Sequence, residues 1–344
     1  MDSDAARVAM LHQDPHPAHR GFAEAVGAEL VDYHRLSLGP LGGTIAEDGL
    51  NGLFYPDYDV YLVEGSRPLY AALARRFTRG GKVIYLAADH GLYELGSEDF
   101  EGESGIKSLI GRFGRPVVRT VGRQGIDGVI AVSEFVADFT RPFVGAGTPI
   151  RIAHPFVQAD TYESLGAVDP DIGSDVVVTV ARPWEYKGVD MLVDAWPAVR
   201  SEFPEAELRV VGRGHPDAYD DTLGVRVEGY IANLADAFAP ASLFVQPSRV
   251  DAFPVSTLEA MRAGVPPLVT DRAGTRSEAG AIDETLVVNP SPQGLAHGVQ
   301  TYLARDVIKR EQLSGRARER GAEFDPDTRM AAFREAFRDV LKAL

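Results

Sequence analysis

The sequence has 344 residues, of which 45% are hydrophobic, and its 50 acidic and 35 basic residues give a formal net charge of −15. This length and apolar content predict a globular protein of about two domains, each with its own core. The acidic balance argues against general nucleic-acid binding, which needs a basic face to neutralise phosphates. Because the sequence contains no Cys, disulfides and thiolate metal sites are excluded.

Two further features of the composition concern the cellular setting. The chain starts with an acidic segment instead of the basic region of a signal peptide, and no apolar run reaches the roughly 20 residues of a membrane span. We therefore expect a cytoplasmic protein. Only five of the 35 basic residues are Lys, and this bias, with the excess of acids, suggests salt adaptation in a halophilic archaeon. A GC-rich genome would explain the Arg bias but not the acids.

Apolar runs rich in β-branched residues alternate with helical patterns along the chain, which predicts parallel βαβ units. In the first half, the runs that we interpret as strands are residues 7–11, 59–65, 82–88, 128–133 and 149–155. In the second half, they are residues 175–181, 206–212, 225–229, 243–247, 265–270 and 285–289. The predicted fold class is α/β, with two doubly wound Rossmann-like domains that face each other across a cleft.

A polar segment with Gly and Pro separates the two series of strands and reads as a linker. The predicted organisation is an N-terminal domain at 1–156, a linker at 157–174, a C-terminal domain at 175–325, and a helix at 326–344 that packs back toward the first domain. In open α/β sheets, ligands bind beyond the carboxyl ends of the strands. The loops that follow the strands are therefore the places to search for a site.

The first loop of the second series carries two cations, Arg182 and Lys187, beside a helix that starts after Gly188. Free N–H groups at a helix start favour anions, so this loop is a plausible diphosphate clamp. The alternative is that both are ordinary exposed loop cations. The sequence contains no GxxxxGK[ST] and no GxGxxG after a first strand, so neither a P-loop nor a Rossmann cofactor fingerprint is present.

Two later loops add candidates. Gly212 ends the next strand, where the backbone either approaches a ligand closely or turns sharply. Asp251 lies in the loop after the strand at 243–247, and Glu259 lies early in the following helix, from which it can reach back toward a ligand. A carboxylate accepts two hydroxyl hydrogen bonds at once, as a ribose diol requires. The alternatives are a loop acid and a solvated helix residue.

The spacing R-x4-K-G, then G-x-G, then acid-x7-E-A-M-x-x-G-x-P resembles the family 4 glycosyltransferases, which have the GT-B fold. The resemblance is strong over residues 176–278 and faint over the first 150. It implies a retaining, metal-independent transfer of a sugar from a nucleotide diphosphate donor. It also implies that Arg182 and Lys187 bind the diphosphate, that Glu259 binds the ribose and that Asp251 faces the donor sugar.

The same resemblance assigns further residues of the C-terminal domain to the donor. The backbone of four consecutive residues would line the sugar and the phosphate, namely Phe253, Pro254, Val255 and Ser256. Gly212 would lie near the donor, and Ile231 near the base. At two positions the sequence departs from the usual pattern: the acid at 251 is usually Glu, and Pro254 replaces a common Gly and lacks an N–H donor. These departures leave the donor sugar open.

In the first half of the chain, the resemblance points to four residues in two loops. Arg20 and Gly21 represent the family's glycine-rich loop after the first strand and would lie against the donor phosphate. His90, with Asp89 second, stands where the family often carries a His near the reacting carbon, although a structural turn residue would look the same. His154 stands where the family often has Asn-Gly, and its role is open.

Residues 105–125 contain five cations and no acid, interleaved with apolar residues. This pattern suggests peripheral contact with a phospholipid surface or a lipid-linked acceptor. The alternative, which we favour, is an ordinary domain helix whose Arg residues pair with acids, because Gly111, Gly114 and Pro116 break the helical period.

The function expected from the sequence is transfer of a sugar from a UDP-, GDP- or ADP-sugar to a glycan, lipid-linked or small-molecule acceptor, with no other cofactor and no metal. Three alternatives stay open: a nucleotide-sugar epimerase, a non-catalytic sugar-nucleotide-binding subunit, and a glycoside hydrolase. The hydrolase would use Asp251 and Glu259 as a carboxylate pair.

Overall fold

The computed structural model describes residues 6–12, 15–32, 50–96 and 106–344. The chain divides into two compact units, Met1–Pro155 with Asp327–Leu344, and Phe156–Pro326. Within the described ranges, each unit contains one sheet of six parallel strands with helices connecting them. The α/β class predicted from the alternating apolar runs is confirmed.

In the first unit, the strands are β1 (Val8–His12), β2 (Glu29–Asp32), β3 (Val60–Glu64), β4 (Lys82–Ala87), β5 (Gly128–Ala131) and β6 (Ile150–Ile152). Their order in the sheet is β2-β1-β3-β4-β5-β6. The sequence pattern missed β2, an edge strand with acids at both ends. Only its Val31 is buried, so the strand carries almost no apolar signal.

Helices of the first unit cover the sheet. They are α1 (Pro17–Ala25), α2 (Ser66–Arg79), α3 (Gly91–Gly96), α4 (Ile106–Gly125) and α5 (Glu134–Thr140). Helix α4 runs without a break through Pro116, in line with the interpretation of this segment as a domain helix. The C-terminal helix of the chain also belongs to this unit, where Phe333 stacks on Phe22 with ring centroids 4.1 Å apart.

In the second unit, the strands are β7 (Val176–Val180), β8 (Glu207–Val211), β9 (Val225–Gly229), β10 (Leu243–Gln246), β11 (Pro267–Thr270) and β12 (Val287–Val288). The sheet order is β12-β11-β10-β7-β8-β9. The chain therefore reverses its direction of winding between β7 and β10, which are neighbours. At such a point the loops beyond the strand ends diverge and leave a crevice, so the ends of β7 and β10 are the expected ligand position.

The remaining helices follow in chain order. They are α6 (Ala159–Gly166), α7 (Val189–Glu202), α8 (Leu234–Phe238), α9 (Val255–Ala263), α10 (Arg276–Ile282), α11 (Pro292–Leu303), α12 (Val307–Gly321) and α13 (Pro326–Lys342). Helix α6 lies in the segment expected to be a linker. Leu165, Val168 and Ile172 of that segment are buried, which ties it to the second unit despite its polar composition.

None of the helices in the described ranges combines the length and the apolar character that crossing a membrane requires.

Candidate functional site

The loops after β7 and β10 pack directly against each other at the point where the second sheet reverses. The backbone N–H of Arg249 donates to the carbonyl of Tyr186 at 2.8 Å. Gly188 has φ +68°, and a Cβ on it would lie 2.1 Å from the carbonyl oxygen of Pro247. Only Gly fits there, because it accepts both the left-handed backbone and the close approach. The two loops of the predicted site are thus brought together.

Lys187 and Asp251, which the sequence places 64 residues apart, form an ion pair with 2.7 Å between Nζ and Oδ2. Their side chains are only 19% and 10% exposed. Burial disfavours the charged form of Lys187, but the adjacent Asp251 carboxylate outweighs this and raises the lysine pKa. Lys187 therefore stays charged inside the site.

The backbone of Asp251 is fixed by the loop after β11. Its N–H donates to the carbonyl of Arg272 at 3.0 Å, and its carbonyl accepts from the N–H of Gly274 at 2.9 Å. The carboxylate thus has a defined position, which a general acid or a sugar-binding residue needs.

A polar chain that the sequence analysis missed leads from helix α9 to Asp251. Ser256 donates to Gln246 at 2.9 Å, the Gln246 amide donates to Ser248 at 2.7 Å, and the Ser248 hydroxyl lies 3.4 Å from the Asp251 carboxylate. Gln246 is buried in an otherwise apolar strand. A polar residue at the end of an apolar strand was the available signal.

Glu259 lies on helix α9 and is partly buried. Burial alone raises its pKa from 4.5 to about 7, and no cation of the described residues acts on it. Its carboxylate therefore sits in a site without a charged partner. This arrangement is costly in the free protein and suits a ligand that donates hydrogen bonds.

Helix α9 begins after Pro254, and no side chain among the described residues caps its N-terminus. Phe253 and Pro254 are buried, while Val255 and Ser256 are partly exposed. Helix α7, which begins after Gly188, likewise has no side-chain cap within the described ranges. Two helix starts without caps at one sheet edge leave backbone donors for an anion.

Arg182 is exposed and is ordered by aromatic contacts. Its guanidinium lies 5.1 Å from the ring centroid of Trp184, and that ring stacks on Tyr186 with centroids 5.6 Å apart. Lys187 lies 5.1 Å from the Tyr186 ring centroid. We call these four residues the cation–aromatic stack. The sequence analysis identified both cations but not the rings between them.

Gly212 and Ile231 have structural environments that differ from the expected ligand contact. A Cβ on Gly212 would lie 1.8 Å from the carbonyl oxygen of Ala181, so this Gly allows the loop that carries Arg182 to pack close. Ile231 follows β9 and packs against a buried cluster that includes Val178 and Val211. Whether either contacts a donor stays a prediction.

The four residues predicted in the first unit occupy two places. Gly21 is buried within helix α1, so it is a helix residue and not part of a glycine-rich loop, whereas Arg20 is exposed. Asp89 and His90 follow β4. Asp89 accepts from the N–H of Gly91 at 3.1 Å, and His90 Nε2 lies 3.2 Å from a carboxylate oxygen of Glu94.

Two other His side chains of the first unit, His154 and His19, have defined hydrogen-bond partners. His154, whose role was open, bonds through Nδ1 to the carbonyl of Val132 at 2.9 Å. His19 and Glu64, which the sequence analysis did not single out, are in direct side-chain contact. They come from segments 45 residues apart, so no local pattern connects them.

Residue 105 and the side chains of residues 106–115 lie outside the part of the chain that the structure describes. About half of the segment 105–125, for which membrane contact was predicted, therefore has side chains outside the described residues. Later in helix α4, Val117 is 60% exposed, and Arg119 lies 5.3 Å from the Phe143 ring centroid.

Comparisons with known proteins match the part of the chain that contains these loops. Residues 174–305 match the family model described as Glycosyl transferases group 1, which covers both loops, the cation–aromatic stack and Glu259. A curated relative is the phosphatidyl-myo-inositol mannosyltransferase of Mycobacterium tuberculosis, 26% identical over 206 residues, which are 56% of this chain and 54% of that protein. The chain thus spans about half the length of this relative.

Solved structures match nearly the whole chain. The sucrose-phosphate synthase from Thermosynechococcus elongatus has a TM-score of 0.71 at 17% identity, and the match covers 98% of this chain and all of that one. Anabaena HepE in complex with UDP-glucose has a TM-score of 0.66 at 17% identity, with 97% and 100% covered. At such identities the likeness shows the fold, and the predicted GT-B fold is confirmed.

Proposed function

We propose that this protein is a glycosyltransferase that moves a sugar from a nucleotide diphosphate donor to an acceptor, with retention of the anomeric configuration, as in family 4. The observation that carries the proposal is the juxtaposition of Lys187, Asp251 and the loop before Glu259 at the reversal of the second sheet. The match of residues 174–305 to a glycosyltransferase family model supports it.

Each part of a nucleotide-sugar donor finds a chemically suitable group in this site. Lys187 and Arg182 are cations for the diphosphate, and the uncapped starts of α7 and α9 add backbone donors. The Glu259 carboxylate, for which no charged partner lies among the described residues, suits the two hydroxyls of ribose. Asp251 would then contact a hydroxyl of the donor sugar. UDP-, GDP- and ADP-sugars all contain the diphosphate, the ribose and the sugar that these residues would contact.

The chemistry follows from the same residues. The bond from the anomeric carbon to the leaving phosphate oxygen breaks, and Lys187 and Arg182 stabilise the negative charge that grows on the diphosphate. The acceptor hydroxyl attacks from the same face, and its proton passes to the leaving phosphate. No protein nucleophile is needed on this route, and no metal is invoked.

A donor screen tests the proposal. UDP-, GDP- and ADP-sugars are compared by thermal shift in high KCl, and the product of the stabilising donor is then analysed by NMR for its anomeric configuration. Glu259→Ala and Lys187→Ala should abolish the shift. Glu319→Ala and Lys309→Ala, exposed residues of α12, are the matched controls and should keep it.

The outcomes separate the alternatives. If no nucleotide sugar stabilises the protein, both the transferase and the binding-subunit hypotheses fail. Binding without turnover would favour a non-catalytic subunit, and release of an epimerised donor would indicate an epimerase. Hydrolysis of simple glycosides would indicate the hydrolase. A product with inverted anomeric configuration would reject the retaining mechanism but not the transferase function.

Three further inferences concern the setting. We infer a cytoplasmic protein with a glycan or lipid-linked acceptor, and peripheral membrane contact through 105–125 would suit the latter. Liposome flotation tests this contact, and absence of binding to anionic vesicles would reject it. From the charge of −15 we also infer salt adaptation, and stability independent of KCl would reject that.

A further inference from the structure

The loops after β7 and β10 are joined by a second ion pair, which the proposed donor chemistry does not use. Arg249, in the loop after β10, donates from Nη1 and Nη2 to the two carboxylate oxygens of Asp190, at 2.7 and 2.6 Å. Asp190 lies in the first turn of α7, 59 residues earlier in the chain. The guanidinium thus faces both carboxylate oxygens, an arrangement that fixes the mutual orientation of the two groups.

Arg249 also holds the turn that carries Lys187. Its Nη1 donates to the carbonyl of Glu185 at 2.7 Å, and its backbone N–H donates to the carbonyl of Tyr186 at 2.8 Å. Residues Glu185–Lys187 form a single turn of 3-10 helix between β7 and α7. Arg249 therefore contacts the two carbonyls that precede Lys187 and, through Asp190, the helix start that follows it. The lysine backbone is held on both sides.

The geometry of the Arg249–Asp190 pair suits orientation more than stability. The two side chains are 35% and 44% exposed, and ion pairs this exposed contribute little to the free energy of unfolding. Hydrogen bonds from Arg249 lower the pKa of the Asp190 carboxyl, so the pair stays charged at neutral pH. A planar guanidinium makes two parallel hydrogen bonds that the ammonium of a Lys cannot reproduce.

We propose that the Arg249–Asp190 pair positions Lys187 for the diphosphate of the donor. Arg249 is a positioning residue: it acts through the turn at 185–187 and does not itself touch the donor. The consequence for catalysis rests on the proposed transferase function, because Lys187 stabilises charge on the leaving diphosphate only from a fixed position. The position of Lys187 can also be tested without a donor.

Amine labelling measures that position. The sequence has five Lys residues, so mass spectrometry after brief treatment with acetic anhydride resolves each of them. Lys187 is protected by burial and by its ion pair with Asp251. In Arg249→Gln and in Asp190→Asn we expect Lys187 to react about three- to tenfold faster, because release from Asp251 lowers the lysine pKa and raises the neutral fraction. Lys309, an exposed residue of α12, is the internal reference.

Arg305→Gln is the matched control. Arg305 forms an equally bidentate ion pair with Asp283, at 3.1 and 3.2 Å, in the second unit but outside the two site loops. A purely structural role of Arg249 predicts that both Arg→Gln variants leave the labelling of Lys187 in the folded protein unchanged. A positioning role predicts faster labelling in Arg249→Gln and not in Arg305→Gln.

With the stabilising donor, the same variants are assayed for transfer and for hydrolysis of the donor. We expect kcat to fall about tenfold in Arg249→Gln and in Asp190→Asn, with a smaller rise in KM for the donor, because Lys187 acts most on charge that develops in the transition state. Arg249→Lys should behave like Arg249→Gln. If Arg249 bound the diphosphate itself, Arg249→Lys would keep most of the donor affinity and Asp190→Asn would not lower kcat. That pattern would overturn the inference.

Labelling of Lys187 at the unchanged rate in folded Arg249→Gln and Asp190→Asn would also overturn it. If Arg249→Gln does not fold, Asp190→Asn, which keeps the size of the side chain, gives the answer alone. Absence of any stabilising nucleotide sugar would instead reject the transferase function, and the labelling would still show whether this pair positions Lys187.

Discussion

Lys187 and Asp251 share one hydrogen-bonded ion pair, 2.7 Å long, that joins the loop after β7 to the loop after β10. The resemblance had assigned the lysine to the diphosphate and the acid to the sugar. In the structure, the Asp251 carboxylate raises the pKa of Lys187 and keeps the lysine charged, while both side chains are largely buried. A donor that binds here therefore meets a preorganised lysine and must share it with Asp251.

Removing one partner of this pair should destabilise the protein. Lys187→Ala leaves Asp251 buried without its cation, and we expect a loss of about 2 to 4 kcal/mol in the free energy of unfolding. Urea denaturation measures it. Lys309→Ala, which removes an exposed ion pair with Asp306, should leave the free energy of unfolding nearly unchanged. Equal effects of the two substitutions would show that the pair is not effectively buried.

The raised pKa of Glu259 predicts a pH dependence of stability. Between about pH 4.5 and 7, the folded protein binds this proton more tightly than the unfolded chain. The stabilisation of the folded protein by this protonation is fully present below pH 4.5, and it is lost as the pH rises through 7. Glu259→Gln should therefore be more stable than the unchanged protein at pH 8, by up to about 3 kcal/mol, and lose this advantage at pH 4.5.

Donor affinity should depend on the same titration of Glu259, but it should increase with pH where the stability decreases. The ionised carboxylate accepts two hydroxyl hydrogen bonds, so affinity for the stabilising nucleotide sugar should rise between pH 6 and 8. Calorimetry at several pH values measures this. In Glu259→Gln the affinity should be lower and flat, and an unchanged slope would place the titrating group elsewhere.

The cation–aromatic stack provides a spectroscopic report of binding. The sequence has two Trp residues, and Trp184 is 48% exposed whereas Trp196 is fully buried. A nucleoside diphosphate that engages Arg182 should shield Trp184 from acrylamide quenching, and Trp184→Phe should remove the response. We also expect Trp184→Ala to weaken nucleoside diphosphate binding about three- to tenfold, because Arg182 loses its stacking partner. Unchanged quenching at saturating donor would contradict the assignment.

The contact between the two site loops requires Gly at position 188. Gly188→Ala adds a Cβ that meets the carbonyl of Pro247 in a left-handed backbone conformation. We expect a loss of more than about 2 kcal/mol in unfolding free energy. Gly315→Ala is the matched control, because Gly315 lies within α12 with open space around its Cβ position. That change should be neutral or stabilising by about 0.5 to 1 kcal/mol.

Much of the fold was readable from the sequence because each buried parallel strand is a short apolar run. This periodicity is local, and it identified every strand of the second sheet. It failed at β2, where the acids Glu29 and Asp32 flank one buried residue. The pattern also predicted a linker where α6 lies, because the few buried residues of that segment, such as Leu165, stand among acidic residues.

For the site, the sequence determined which residue types are available: two cations, two acids and a helix start at fixed spacings. Only the tertiary structure decided their relations. Whether Lys187 reaches Asp251, and whether Glu259 has a partner, depends on β7 and β10 being neighbours although more than 60 residues separate them. The pairing of His19 with Glu64 across β1 and β3 has the same origin. Sequence patterns report contacts along one element, whereas parallel sheets bring together the ends of elements that are distant in the chain.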